Sequence, residues 1–187
     1  MRRSRIVLGS GYDDYYRRHL GELFAAANGL LRGGGVDYWL VFGTLLGHHR
    51  EGGLIPGDKD IDFGAPEREH GRIWELRRAL PAGYQMKDTS RFHDGPKLFI
   101  SSGDGWKADI YFYREEEGML RGLVKSPLPG DVKPFPAAWV FPLADAEFLG
   151  QRTRIPHNVK GYLEHMYGYI GRNAVLDPRT GYYRPRS

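Results

Sequence analysis

The segment Asp37-Tyr38-Trp39-Leu40-Val41-Phe42-Gly43-Thr44, resumed at Pro56-Gly57-Asp58-Lys59-Asp60-Ile61-Asp62-Phe63-Gly64, decides how this chain is read. Tyr38 to Phe42 is an apolar run too short for a helix and rich in aromatic and β-branched side chains, which predicts a buried strand running into Gly43. Gly52-Gly53 and Pro56-Gly57 punctuate a loop, after which Ile61-Asp62-Phe63-Gly64 reads as a second strand. Asp58, Asp60 and Asp62 recur at every second residue. Because side chains of an extended strand alternate between faces, the three carboxylates can share one face while Ile61 and Phe63 enter the core. Like charges packed at this spacing raise one another's pKa and cost stability, so such a strand suits a cation. Carboxylate and water ligands are what Mg²⁺ or Mn²⁺ prefers. A solvated acidic loop neutralised by Lys59 is the alternative reading of the same residues.

Further along, Lys107-Ala108-Asp109-Ile110-Tyr111-Phe112-Tyr113 sets one acid among β-branched and aromatic neighbours, the pattern of a half-buried strand. A third acid on a neighbouring strand is what metal-assisted phosphoryl or nucleotidyl transfer needs: two Asp fix the metal, and one completes the shell or accepts the proton of an attacking hydroxyl. Gly43-Thr44, leaving a buried strand before a helical turn, offers backbone N–H groups and a hydroxyl to a phosphate. Arg50 lies between that turn and the acids and suits a phosphate contact, as it also suits a surface pair with Glu51. Lys97 and Lys107 flank the sheet and could neutralise a leaving phosphate, or stand as edge-strand lysines. His48 and His49 are adjacent and diverge on a helix, so they do not form a chelating pair. His93-Asp94 reads as a turn, and Tyr162, Tyr167 and Tyr169 as core or rim.

The remaining chain frames these residues. Tyr12 to Leu31 carries apolar residues at threes and fours and predicts an amphipathic helix ended by Gly33-Gly34-Gly35; Pro66 opens a helix to about Leu80. Residues 84–88, 97–101, 108–113 and 120–124 predict a meander of short strands. A proline-rich connection (Pro127, Pro129, Pro134, Pro136, Pro142) leads to a hairpin turning at Gly150 and a helix from Asn158 to Tyr167. The expected architecture is α+β: one domain over 12–170 with a mixed β-sheet flanked by helices, a basic N-terminal tail over 1–11 (Arg2, Arg3, Arg5) and a C-terminal tail over 171–187.

Composition narrows the chemistry. The chain has 187 residues, 41% hydrophobic and 13% aromatic, enough to bury a core. No cysteine is present, which excludes disulfides, zinc–thiolate sites, iron–sulfur clusters and thiol nucleophiles. Of 27 cationic residues 20 are Arg, with a net charge of +4, which favours phosphate-bearing substrates. A basic nucleic-acid-binding domain is a rival class, but the cations form no dense stripe with interleaved aromatics and the strongest local cluster is acidic, so no stable nucleic-acid partner is expected. A two-carboxylate glycosidase built on Asp60 and Asp109 is another rival. No stretch approaches the roughly 18 to 20 apolar residues of a membrane span. The start of the chain lacks a signal-like apolar region, and the protein is expected to be soluble and cytoplasmic.

The run from Asp37 to Asp62, with Gly43-Thr44-Leu45-Leu46-Gly47, Arg50, Gly53, Ile55-Pro56 and the alternating acids, resembles the LicD/fukutin-related family. It departs from that family at Gly57, where a Trp is common, and at Lys59, where an acid is common. Ala108-Asp109-Ile110 resembles the family's third-acid strand, and Phe141-Pro142, Ile155-Pro156-His157-Asn158 and Tyr162 to Gly168 resemble its C-terminal pattern. The resemblance spans about residues 36–170. It implies a nucleotidyltransferase-like fold of the DNA polymerase β superfamily, with Gly43-Thr44 as the G-[ST] element. It also implies Asp60, Asp62 and Asp109 as catalytic metal triad, and Gly43, Thr44 and Arg50 on the donor; the residues themselves add Asp58 as a further metal ligand and Lys97 as a further donor contact. Such proteins move a phospho-alcohol, phosphocholine or ribitol phosphate for example, from a CDP-linked donor to a glycan or other hydroxyl acceptor with Mg²⁺ or Mn²⁺. Nucleotidyl transfer from an NTP with release of pyrophosphate remains open on the same fold.

Overall fold

The computed structural model describes residues 10–126, 128–131 and 133–186. Its first helix, α1 (Ser10–Gly33), turns Leu20, Leu23, Phe24, Ala27 and Leu31 inward, all of them buried. This is the stripe that the three-and-four spacing predicts. The helix ends where Gly35 adopts a left-handed φ of 61°. Strand β1 (Trp39–Leu40) and helix α2 (Phe42–Glu51) follow, then strand β2 (Asp60–Pro66). Helix α3 (His70–Glu75) leads into β3 (Tyr84–Asp88), β4 (Lys97–Ser102), β5 (Lys107–Glu116), β6 (Met119–Gly122) and β7 (Phe135–Pro136). The hairpin β8 (Ala144–Phe148) and β9 (Gln151–Ile155), helix α4 (Val159–Tyr167) and a last hairpin, β10 (Ala174–Leu176) with β11 (Tyr183–Pro185), complete the chain.

The main sheet runs in the order β1-β2-β5-β4-β3, with β6 and β7 added beside the far half of β5. Only β2 and β5 pair in parallel; the other pairs are antiparallel. Alternation gives the sheet two unlike faces. One carries Ile61, Phe63, Leu98, Ile100, Ala108, Ile110 and Phe112, all fully buried. It packs on α1, where the Phe24 and Phe63 rings stack at 5.9 Å. The other face carries Asp60, Asp62, Asp109, Tyr111, Tyr113, Lys97, Phe99 and Ser101. Helices α2 and α4 cover its β1 end, through Phe42 against Tyr111 at 5.0 Å and a hydroxyl contact of 3.1 Å between Tyr113 and Tyr162. The result is a mixed α+β domain.

Several boundaries differ from the sequence reading. The predicted Tyr38–Phe42 strand shrinks to two residues, because Phe42 takes a left-handed φ of 46° and turns the chain into α2. Pro66 does not open a helix. It is the last residue of β2, opposite Tyr113, since parallel pairing there outweighs its preference for a first helical position. The expected helix to Leu80 is broken into one α-helical stretch flanked by two 3-10 turns, Glu67–Glu69 and Leu76–Ala79. Only Ile73 within that stretch is buried, too little to hold a continuous helix on the sheet. The described part of 171–187 is not a free tail. Its two short strands pair with each other, and the Tyr169 N–H donates to the Tyr183 carbonyl at 3.0 Å. Three-residue strands leave no period to read. The N-terminal cations Arg2, Arg3 and Arg5, and Pro127 of the proline-rich connection, lie outside the described residues.

The junction of β1 with β2 has no spare volume. A Cβ placed on Gly64 would stand 2.7 Å from the Val41 side chain and 2.8 Å from the Trp39 ring, and both neighbours are fully buried. Gly64→Ala should therefore cost about 1–3 kcal/mol, the usual penalty of overpacking. A thermal melt that shows the variant as stable as the parent would contradict this packing.

Candidate active site

Parallel pairing sets Asp62 directly opposite Asp109, with Asp60 one alternation away on β2. One carboxylate oxygen from each of Asp60, Asp62 and Asp109 lies within 4.8 Å of the other two. Asp62 is buried, Asp109 half-buried and Asp60 exposed, so the cluster sits at the rim of the open face. The backbone holds this placement. The Asp62 N–H donates to the Thr44 hydroxyl at 2.9 Å, which ties β2 to the first turn of α2. Lys97, across β5 on β4, lies 3.5 Å from an Asp109 oxygen and 3.3 Å from the Tyr111 hydroxyl, with its ammonium 4.5 Å from that ring's centre.

Asp58 belongs to a different position from the one alternation predicts. Strand β2 begins at Asp60, and Asp58 lies in the preceding turn, where its N–H donates to the Ile55 carbonyl at 3.0 Å. It stands outside the group of three. Its carboxylate lies beside Gly43, close enough that a Cβ there would be 3.1 Å from Oδ2. That oxygen is buried and has no hydrogen-bond partner. Glycine at 43 thus makes room for an acid at the start of α2.

The electrostatics follow from the crowding. Burial, then Asp60, Asp109 and Asp58, push the Asp62 carboxyl well above the usual carboxylate range, opposed by Lys97. Burial and Asp109 raise Asp60, again against Lys97. Burial and Asp60 raise Asp58 to about 6. Acids that resist ionisation, with a partnerless carboxylate oxygen nearby, are deficient in positive charge. The donor set is all oxygen, with neither sulfur nor imidazole in the group, and so fits a hard divalent ion such as Mg²⁺ or Mn²⁺.

The other residues singled out from the sequence fall in distinct places. Gly43 and Thr44 form the start of α2 beside Asp58 and Asp62. Arg50, at the far end of α2, donates from Nε to the Ile170 carbonyl at 2.5 Å and from Nη2 to the Gly171 carbonyl at 2.9 Å. Its guanidinium thus ties down the C-terminal segment, and Glu51 pairs with Arg172 at 3.1 Å instead. Lys107 is exposed, its ammonium 5.2 Å from the Phe99 ring centre. His93 and Asp94 are exposed in a loop. Burial lowers His48, whose ring packs on Phe148.

Two groups near the site, Tyr111 and Asp131, carry no role in the sequence reading, and Tyr167, read there as core or rim, belongs with them. Tyr111 shares the face of Asp109, and its hydroxyl is pushed upward by burial and by Asp62 and Asp109. Its position two residues past Asp109 was the available signal. Tyr167 of α4 is raised by burial, Asp62 and Asp58, and Asp131 is a buried acid that accepts the Ser126 N–H at 3.0 Å. Asp131 has no local pattern, because a loop brings it in, whereas Tyr167 closes the predicted helix α4.

The raised carboxyls set a pH dependence. Between the unfolded value near 4 and the folded value of about 6, folded Asp58 keeps a proton that the unfolded chain has lost, so stability falls as pH rises through this window. Metal-free protein should melt higher at pH 5 than at pH 7. Asp62→Asn should raise the melting temperature at pH 7 by about 2–4 °C per kcal/mol of repulsion relieved. Added Mn²⁺ should stabilise the parent and not the variant. Melting curves at the two pH values, with and without Mn²⁺, check all three, and a parent that melts higher at pH 7 without metal would contradict the crowding.

Comparisons with known proteins bear on this arrangement. Residues 35–158 match the family described as LicD/FKTN/FKRP, nucleotidyltransferase domain. Human FKTN, named a ribitol-5-phosphate transferase, is 29% identical over 158 residues, which cover 82% of this chain and 33% of that protein. Mouse FKRP, named a ribitol 5-phosphate transferase, is 30% identical over 158 residues, covering 81% of this chain and 31% of that one. The chain therefore spans about a third of the length of these curated relatives. The solution structure of the antibiotic-resistance factor ANT(2'')-Ia superposes with a TM-score of 0.50 at 13% identity, over 75% of this chain and 66% of that one, a likeness of fold. The matched span begins just before β1 and ends past the β8–β9 hairpin, enclosing every acid of the cluster, and the chain belongs to the LicD/FKTN/FKRP family.

Proposed function

We propose that this chain is a metal-dependent phosphotransferase that moves a phospho-alcohol, such as phosphocholine or ribitol phosphate, from a CDP-linked donor to a hydroxyl of a glycan or related acceptor, releasing CMP. The observation that carries the reading is the register of β2 on β5, which sets Asp62 against Asp109 and brings Asp60 to them within 4.8 Å. The names of FKTN and FKRP, ribitol-5-phosphate transferases, support the group transferred. Carboxylate oxygens this close suit a shared cation. A glycosidase uses a pair of carboxyl groups, whereas three converge here.

The donor's diphosphate lies between the triad and the start of α2. There Gly43 and Thr44 present backbone N–H groups of a helix N-terminus to phosphate oxygens. Asp60, Asp62 and Asp109 would hold a divalent ion, which when bound would supply charge stabilisation for the phosphoryl oxygens. Lys97, already beside Asp109, adds a fixed positive charge at the same rim, and Arg50 contributes from the far end of α2 by holding the C-terminal segment in place. The acceptor hydroxyl attacks phosphorus in line, the bond to the CMP oxygen breaks, and one carboxylate of the triad takes the hydroxyl proton. The remaining work is positioning.

Incubation with Mn²⁺ or Mg²⁺ and a CDP-alcohol should release CMP, whereas incubation with an NTP should release no pyrophosphate. Asp60→Asn, Asp62→Asn and Asp109→Asn should each lower turnover by roughly 100-fold or more with the fold intact by circular dichroism. Pyrophosphate as the product would instead make the chain a nucleotidyltransferase, and full activity in any one variant would remove that residue from the triad.

A further inference from the structure

Helix α1 turns only one side of its circumference to the sheet. Leu20, Leu23, Phe24, Ala27 and Leu31 are buried there, while Glu22, Gly29, Arg32 and Gly33 are exposed and Ala25 and Ala26 half-buried. The second set recurs at threes and fours and so forms one stripe along the outer side of the helix. Between that stripe and the Leu76–Ala79 turn lies a groove of about 390 Å³, walled by Ala25, Ala26, Gly29 and Leu30 on one side and by Leu76 and Pro81 on the other. No residue lining it carries a polar side chain. Glu22 and Arg32 bound the stripe, about 15 Å apart along the helix axis. Neither side chain has an ion-pair or hydrogen-bond partner among the described residues.

We propose that this groove seats a second copy of the chain, with the two α1 helices packed antiparallel about a two-fold axis. Nothing in this depends on the reaction assigned to the acids. Charge fixes both the partner and the direction. In the register that sets Gly29 level with Ala25 of the second copy, Glu22 stands level with Arg32 of the second copy, and symmetry repeats the pair at the other end. Parallel helices would instead set Glu22 beside Glu22 and Arg32 beside Arg32. Arg18, the next cation toward the N-terminus on this side, passes beyond Gly33, where the second helix ends. Glycine sets the distance. A Cβ built on Gly29 or on Gly33 would meet nothing within 4 Å, so no contact inside the chain requires glycine at either place. Inside a helix, glycine costs stability relative to alanine. A bare backbone near the centre of the stripe does, however, let a second helix approach to about 8 Å between axes, the near end of the usual range. The groove beside it takes the small side chains of the second copy's stripe, and each chain covers the same apolar surface on the other. Because α1 packs on the sheet face opposite the acids, a dimer joined in this way leaves both acid clusters open.

Analytical ultracentrifugation of the whole chain reads this directly. The parent should pass from monomer to dimer over a roughly micromolar range of concentration, as a contact below the standard interface size implies. Glu22→Arg and Arg32→Glu should each weaken dimerisation at least about tenfold, because each places two like-charge pairs in the dimer. An equimolar mixture of these two variants should dimerise as the parent does, since every altered residue then meets its opposite charge. The two changes combined in one chain should restore the dimer as well. Gly29→Leu should stay monomeric with the parent's circular dichroism, because its side chain enters open space in the single chain and the second backbone in the dimer. A parent that stays monomeric throughout would leave the groove to some other protein and overturn the proposal. A dimer unchanged by the charge variants and by Gly29→Leu would overturn it equally, as would single variants that remain monomeric when mixed.

Discussion

Parallel pairing of β2 with β5 is the constraint on which the rest of this molecule depends. It is the one parallel contact in a sheet otherwise antiparallel, and its register admits no slip. A shift of β2 by one residue would turn Ile61 and Phe63 out of the core and send Asp60 and Asp62 into it. The hydrophobic burial of one face therefore enforces the confrontation of carboxylates on the other. Folding energy from α1 packing on that apolar face is spent holding like charges together.

Around that constraint, the neighbouring elements act as restraints on a strained site. Thr44 caps the backbone of Asp62, Lys97 stands against Asp109, and Gly43 leaves space for Asp58. Phe42 enters α2 through a left-handed conformation that a non-glycine residue adopts only at a cost of about 1–3 kcal/mol. Its ring on Tyr111 ties that bend to the same strand that carries Asp109. The helix start, the strand junction and the acids are thus one mechanical unit. The C-terminal segment is bound to it at a distance through Arg50, which joins the end of α2 to residues 170 and 171.

The open face gives this unit a direction. On the α2 side the site offers helix N–H groups; on the β3 side it offers the Phe99 ring, with the Lys107 ammonium 5.2 Å from its centre and Lys87 as its register partner. A transfer reaction needs such a polarity, because its donor and acceptor must approach one phosphorus from opposite sides. Tyr111 on β5 and Tyr167 on α4 are kept neutral by burial and by the nearby acids.

Local pattern was sufficient for much of this. Alternation in Asp60-Ile61-Asp62-Phe63 told which side chains face the core, the helical period marked α1, and the glycine-threonine turn after an apolar run marked the start of α2. Those signals lie within a few residues of one another, so the backbone's own periodicities of two and 3.6 carry them. The half-buried pattern of Lys107 to Tyr113 marked Asp109 as a third acid, and the family resemblance, which rests on the same short segments, implied the same residue. Pro66 misled because its fixed φ suits both a first helical turn and the end of a strand, and partner strand β5 made the choice. Arg50's bonds to distant carbonyls, the detachment of Asp58 from the strand, the burial of Asp131 and the groove between α1 and the Leu76–Ala79 turn all arise between residues far apart in the chain. Only the folded sheet, by fixing which strands are neighbours and in what register, decided them.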